Sequence, residues 1–479
     1  MNDIPLIASL RQSADPKAVD QIELLIEHAP DRDLNRINAL AFATEHSLDP
    51  QKTIAAFLHA AQLGLFEMSW NVLCPSCGGV LDANETLKSV DRDRYHCAFC
   101  AAGYEPTLDE IVEVTFTVNP RVRRIAAHAP DELPPDEFYR QMFWSSGVDL
   151  PDDLQARIQD VTLDLIELPA GEKAFLSLQL PPGIVIIFDP ATHATQFIEA
   201  KGEPTHERQN LSMVIGRGLA PNEMLTLRPG SLRLSIENHT DRRVLPGLWI
   251  AGAALDDLLG HRRPFVTGKQ LLTNQTFRDI FRTDTLTVDQ RLKITSLTFL
   301  FTDLKGSTEL YERVGDLVAF DLVRAHFRVL QEVVASEAGA VVKTIGDAVM
   351  ATFPTPDRAV AAALRMREAM DHLNAERGGQ DLLLKIGIHE GPCLAVMLND
   401  RQDYFGQTVN IASRVQHLAL SQAIFASGSV VTDPNGSAIL TNSGVVPIPR
   451  QAALRGITDE FEVYELPLGA PPDRSARGE

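Results

Sequence analysis

The chain has 479 residues, too many for one hydrophobic core and enough for two to four domains. Its apolar share of 44% and charged share of 23% are those of an ordinary globular protein, and a formal net charge of -20 opposes nonspecific contact with nucleic acid or anionic lipid. No window reaches the ~18 unbroken apolar residues of a membrane span, and the first residues, MNDIPLIASLRQSADPKAVD, lack a basic leader followed by an apolar run, so a cytoplasmic location with no membrane partner is expected.

Residues 1–70 read as short helices. Asp49 followed by Pro50 is an N-cap with proline in the first turn, Ile54, Phe57, Leu58 and Ala61 recur at helical spacing, and Gly64 closes the segment. Several such helices running into LGLFEMSWNV suggest a winged-helix-like unit. Acidic side chains outnumber basic ones there and no basic stripe is present, so a helical scaffold is expected over a DNA reader. Residues 71–130 carry two Cys-x-x-Cys pairs, Cys74/Cys77 and Cys97/Cys100, with nineteen residues between the pairs. That spacing fits a zinc-ribbon-like unit, with Gly78 and Gly79 supplying the permissive backbone of one knuckle. Four thiolates leave no open position, so the expected Zn²⁺ is structural; a redox dithiol is the lesser alternative. Cys393 stands apart and reads as a small, semi-buried side chain.

The Pro- and acid-rich HAPDELPPDEFYRQMFW marks a boundary, and residues 131–250 are β-rich. KAFLSLQL, GIVIIFDP, TQFIEA and GSLRLSIENHT are short runs of β-formers between turn residues, which predicts a β-sandwich or barrel. Phe138, Tyr139, Phe143 and Trp144 are expected in core packing or a domain contact. Residues 251–293 read as a connector in which Phe277, Ile280 and Phe281 fall at i, i+3 and i+4. The polar end, 467–479, is expected to be disordered.

From residue 294 the patterns sharpen. SLTFLFTDLKGSTEL predicts a strand, a glycine turn and a helix, the helix continuing to about Glu337 with apolar positions at Leu310, Val314, Leu317, Val323, Phe327 and Leu330. AVVKTIGDAVMATF predicts a hairpin with Asp347 at its tip and Lys343 on the preceding strand. DYFGQTVNIASRV predicts a turn into a helix that carries Asn410 and Arg414 on one face. A carboxylate such as Asp303 at the end of an apolar strand is costly unless something positive meets it. If a neighbouring strand brings Asp347 alongside, two hard carboxylates suit Mg²⁺ or Mn²⁺. The amides from Leu304 through Gly306, Ser307 and Thr308, at a glycine turn opening a helix, can then hold a polyphosphate.

Phe301–Thr308, Lys343–Asp347, Ile386–Gly391 and Asp403–Arg414 together resemble the catalytic domain of class III adenylate/guanylate cyclases, over roughly residues 294–466. The organisation upstream resembles an uncharacterised, zinc-ribbon-containing N-terminal region of some bacterial members. The resemblance implies a multidomain α+β protein whose C-terminal domain is ferredoxin-like (βαββαβ). It implies that Asp303 and Asp347 bind two Mg²⁺ or Mn²⁺ ions per active site. Lys343 and Asp403 match the purine-selecting pair, which here implies ATP, guanylate-forming members carrying other residues. Asn410 and Arg414 match the transition-state pair. Arg455 stands where a phosphate-binding lysine is common, a departure that keeps the charge but not the geometry. The implied assembly is a head-to-tail homodimer making cyclic AMP from ATP, with two shared sites. The regions before residue 290 are expected to regulate it, through a ligand or protein that the sequence does not name.

Overall fold

The computed structural model describes residues 4–91, 94–216, 224–281, 286–287, 289–377, 382–398, 401–419, 423–454 and 461–467, so the expected tail lies outside the described residues from 468 onward. The chain divides into two compact units, residues 1–106 with 110–266, and residues 107–109 with 267–479. The expected connector is thereby divided: 251–266 belongs to the first unit and 267–293 to the second. No helix among the described residues is long and apolar enough to cross a membrane.

In the first unit, the helices Pro16–His28 and Pro50–Gln62 each start from an aspartate, Asp15 and Asp49, whose side chain accepts from amides of the first turn. Pro50–Gln62 buries Ile54, Phe57 and Leu58 and gives way to Gly64 at φ 79°. Phe57 stacks on Phe116 at 5.1 Å and meets Phe66 edge-on at 5.3 Å. Those contacts fasten the helices to a sheet in which strand Phe66–Leu73 pairs antiparallel with both Val80–Asn84 and Val112–Val118. The strand crosses the boundary expected at residue 70, and the helical segment packs on strands that lie beyond it.

Further along, Lys173–Leu180, Gly230–Asn238 and Thr205–Ile215 form one sheet. Thr162–Leu165, Gly247–Ile250, Gly183–Phe188, Thr195–Ala200 and Met224–Leu227 form another. Leu232, Leu234 and Ile236 of the first sheet and Val185, Ile187 and Ile198 of the second share one buried cluster. The alternation in KAFLSLQL places Phe175 outward, where it is 58% exposed between Lys173 and Arg233.

The second unit begins with two short helices, α1 (Gly268–Leu272) and α2 (Gln275–Ile280). It continues through β1 (Leu292–Leu304), α3 (Ser307–Val314), α4 (Asp316–Ser336), β2 (Ala340–Ile345), β3 (Ala348–Phe353), α5 (Pro356–Arg377) and β4 (Leu384–Leu398). β5 (Arg401–Phe405), α6 (Gln407–Leu418), β6 (Ile424–Ser427), α7 (Gly428–Val431), α8 (Pro434–Asn442), β7 (Ile448–Ala452) and β8 (Phe461–Leu466) complete it. The sheet order is β2-β3-β1-β4-β6-β8-β7, with β5 paired to β4. The four strands β2, β3, β1 and β4 are antiparallel throughout, which is a βαββαβ path with the helices on one face. α4 and α5 press Leu330, Val334, Val360 and Met366 onto Leu300, Ala351, Phe353 and Ile388.

Two local features depart from the sequence pattern. The single helix expected from 307 to 337 is two helices, broken at Gly315, whose φ of 79° is left-handed. The break turns the start of α4 away from the core, so Leu317, placed by periodicity on an apolar face, is 85% exposed. The second feature is a bulge in β1 between Ile294 and Leu297. There Asp109 accepts from the amides of Thr295 and Ser296, which the bulge leaves outside the ladder.

Candidate active site

Asp303 sits one residue past Thr302, and Thr302 lies opposite Val349 in the β1–β3 pair. This register puts the β2–β3 turn, and Asp347 within it, beside the end of β1. Burial and the Asp347 charge both push the Asp303 carboxyl above its ordinary range, against the pull of Lys385 and His417. Lys385 lies directly across from Asp303 in the β1–β4 pair, with its Nζ 3.8 Å from the carboxylate. Asp347 Oδ2 is buried and has no hydrogen-bond partner among the described residues. Two like-charged carboxylates near each other, one with an orphaned buried oxygen, fit a divalent cation, which would offset the repulsion and partner that oxygen.

The segment after β1 turns at Gly306, φ 68°, into α3. Its Lys305 amide donates to the Leu383 carbonyl at 2.8 Å and is therefore not available to a phosphate. Leu304 is buried, Gly306 is exposed at the turn, and α3 starts at Ser307 with Thr308 following. This leaves a helix N-terminus beside the carboxylates.

Lys343 on β2 and Asp403 on β5 form an ion pair with Nζ 2.5 Å from Oδ2. Asp403 is buried to 7% exposure, and its other oxygen accepts from the Tyr404 amide at 2.8 Å. β2 is an edge strand and β5 hangs off β4, so the pair is assembled from strands that are not neighbours in the sheet.

Asn410 and Arg414 lie on α6, Asn410 exposed and Arg414 half-buried. What lets α6 lie so close to the sheet is Gly387. A Cβ there would fall 2.2 Å from the Gln416 backbone nitrogen, so no other residue fits. Ile411 and Val415 of α6 pack in one cluster with Phe425 and Val463 of the sheet. The glycine of IGIHEG thus has a packing reason that also fixes the height of Arg414.

The structure therefore brings Asp303 to Asp347, and Lys343 to Asp403, and presents Asn410 and Arg414 on a separate helix; Arg455 lies outside the described residues. Two neighbours of the carboxylates are invisible to local sequence reasoning. Lys385 depends on cross-strand register. His326, on α4, is fully buried with both ring nitrogens unpartnered among the described residues, and burial depresses its pKa to about 4 against the pull of Asp347.

In the first unit the sulfurs of Cys74, Cys77, Cys97 and Cys100 all lie within 4.8 Å of one another. Cys74–Cys100 and Cys77–Cys97 are 3.8 and 3.7 Å apart, far beyond a disulfide. The Gly78 amide donates to the Cys74 carbonyl at 2.8 Å, with Gly78 at φ 71°, which makes the first pair a tight knuckle.

Two family models match the chain. One described as "Family of unknown function (DUF5939)" covers residues 1–279, and one described as "Adenylate and Guanylate cyclase catalytic domain" covers residues 290–452. An adenylate cyclase of Anabaena cylindrica is 32% identical over 135 residues, 26% of this chain and 27% of that protein. Adenylate cyclase 2 of Rhizobium meliloti is 35% identical over 132 residues, 25% of this chain and 36% of that protein. The chain thus spans about a quarter to a third of the length of these relatives. Among solved structures, an adenylyl cyclase from P. aeruginosa matches at 22% identity and TM-score 0.34, covering 38% of this chain and 98% of its own. The guanylate cyclase domain of a Catenaria anguillulae protein in complex with GTP matches at 22% and 0.33, covering 36% and 97%.

Proposed function

Because the chain belongs to the DUF5939 family, whose function is unknown, and carries an adenylate and guanylate cyclase catalytic domain, we propose that it is an adenylate cyclase converting ATP to 3′,5′-cyclic AMP and pyrophosphate. The observation that carries the reading is the Lys343–Asp403 pair. An ammonium donor and a carboxylate acceptor side by side complement adenine, which offers an acceptor at N1 and donors on its 6-amino group. Guanine presents the reverse pattern and would leave both groups unsatisfied, a mismatch that can discriminate by ~10⁴.

Asp303 and Asp347 would hold the two Mg²⁺ or Mn²⁺ ions, and the orphaned Asp347 oxygen supports this assignment. When bound, the ions supply charge neutralisation on the triphosphate and acidify the ribose 3′-hydroxyl. The chain's own contribution is orientation and charge. The turn through Leu304, Gly306, Ser307 and Thr308 would receive the terminal phosphates, with Arg455 as a further phosphate contact. Asn410 would align the ribose so that its 3′-oxygen faces the α-phosphorus, and Arg414 would meet the charge that grows there as the bond to pyrophosphate breaks. The 3′ proton leaves to solvent with the pyrophosphate.

Asp303 and Asp347 of one copy working with Lys343, Asp403, Asn410 and Arg414 of another make a head-to-tail homodimer. The exposed apolar side chains Leu317, Phe320, Ile345 and Phe405, at 55% exposure or more, give such a dimer its surface. The four clustered cysteines would hold structural Zn²⁺: the 3.7 and 3.8 Å sulfur separations are those of a tetrahedron with ~2.3 Å metal–sulfur bonds. The first unit would then set the activity of the second in response to a ligand or protein partner.

Purified chain supplied with Mn²⁺ and ATP should yield cyclic AMP, and GTP in its place should yield far less cyclic GMP. Equal turnover of the two nucleotides would remove the adenine reading, and no turnover of either would remove the cyclase reading.

A further inference from the structure

Nothing in the β-sheet ladder explains why Lys343 and Asp403 meet. They stand on β2 and β5, at different places in the sheet, and an ion pair alone is a weak way to fix two strands. A third residue spans the gap. The Arg278 guanidinium, on α2, donates through Nη2 to the Gln402 carbonyl at 2.9 Å and lies 3.5 Å from the Val342 carbonyl. These carbonyls belong to the residues immediately before Asp403 and Lys343. Val342 is available because β2 bulges between Val341 and Lys343, which takes its carbonyl out of the pairing with β3.

Two neighbours of Arg278 reinforce the clasp. The Val341 amide donates to Gln275 Oε1, from the first turn of α2, at 2.8 Å. The Tyr404 hydroxyl, from the residue after Asp403, donates to the Leu272 carbonyl at the end of α1 at 3.3 Å. Backbone groups flanking both members of the pair are therefore tied to residues 272–278. Arg278 Nη1 is buried and has no partner among the described residues, so the contacts of the guanidinium to the two strands are those of Nη2.

We infer that Arg278 is a positioning residue for base selection, holding the Lys343 and Asp403 backbones at the separation at which their side chains read one purine and reject the other. This inference rests on the cyclase reading of the same site. A single guanidinium nitrogen, Nη2 with its two N–H groups, reaches both carbonyls, so one planar group on α2 addresses the two strands at once.

The test compares full-length wild type, Arg278→Gln and Arg278→Lys, with matched melting temperatures as the control for folding. Turnover of ATP and GTP is measured with Mn²⁺, and in parallel the equilibrium binding of fluorescent ATP and GTP analogues. Arg278→Gln should raise KM for ATP by tenfold or more with a smaller change in kcat, and narrow the ATP-to-GTP preference by a similar factor. Arg278→Lys should recover part of the preference. An unchanged ATP-to-GTP ratio in Arg278→Gln, in turnover or in binding, would overturn the inference whatever happens to overall activity. A wild type that binds ATP selectively but makes no cyclic product would end the cyclase reading while leaving Arg278 decided by the binding ratio. A wild type that binds neither analogue would end both.

Discussion

At the scale of single residues, the second unit contains two histidines whose neutral form is favoured by burial. His326 has no hydrogen-bond partner among the described residues, and His389 Nδ1 pairs with Ser427 Oγ at 2.8 Å; burial brings each to about 4. In the unfolded chain both imidazoles take up protons near pH ~6.5. Between those values the unfolded state binds more protons than the folded one, so stability falls as pH falls through this window. The full effect is about 3 kcal/mol for each histidine, complete only below the folded value. Replacing His326 by leucine should therefore reduce the loss of stability between pH 7.5 and pH 5 by about 2 kcal/mol, read from urea midpoints. An equal loss in both proteins would show that His326 takes up its proton in the fold as easily as in water.

Local sequence made the chemistry of this scale legible, but not its neighbours. Asp303 and Asp347 each end a strand or tip a turn, and both positions follow from apolar runs and a Gly-Asp pair a few residues long. Lys385, 3.8 Å from Asp303, follows only from the register of two strands eighty residues apart in sequence. Arg278 is further removed still, since its role depends on a bulge in one strand and the path of another. Leu317 departs from its periodicity for a related reason: the helical pattern runs through Gly315, and the left-handed residue there starts a new helix with a different face toward the core.

At the scale of elements, the cysteine knuckles carry a clear physical demand. The first is bound to its surroundings by backbone contacts: the Ser145 amide donates to the Gly78 carbonyl at 2.9 Å, and the side chain of Arg262 donates to the Ser76 carbonyl. Phe99, in the second pair, meets Phe188 and Trp249 edge-on at 5.2 and 5.9 Å. A metal holding both pairs would therefore stabilise the aromatic cluster as well as itself. Elemental analysis of purified protein should give one zinc per chain, and Cys97→Ser should lower both the zinc content and the melting temperature. Full-length protein that folds normally with no bound metal would contradict this. The spacing of the cysteines made the cluster legible; what it could not disclose was that the second pair packs on aromatics about ninety and one hundred and fifty residues away, because those contacts are made by other elements.

At the scale of the whole molecule, the two sets of expected site residues sit on different elements. The carboxylates end β1 and tip the β2–β3 turn, whereas Asn410 and Arg414 lie along α6. Sequence patterns place Asp303 at a strand end, Asp347 at a hairpin turn and Asn410 and Arg414 on a helix, and the structure has them there. They could not say which sets meet within one chain, because that depends on strand order and on the close approach permitted by Gly387. The reading of a shared site requires a second copy to supply what the first cannot reach.

Mixing Asp303→Ala chains with Asn410→Ala chains tests that reading most directly. Each variant alone should be at least ~10²-fold less active than wild type. In an equal mixture half of the dimers are mixed and each has one intact site, so cyclic AMP production should return to about a quarter of the wild-type rate. A mixture as inactive as its two components, with dimers confirmed by mass, would contradict the account.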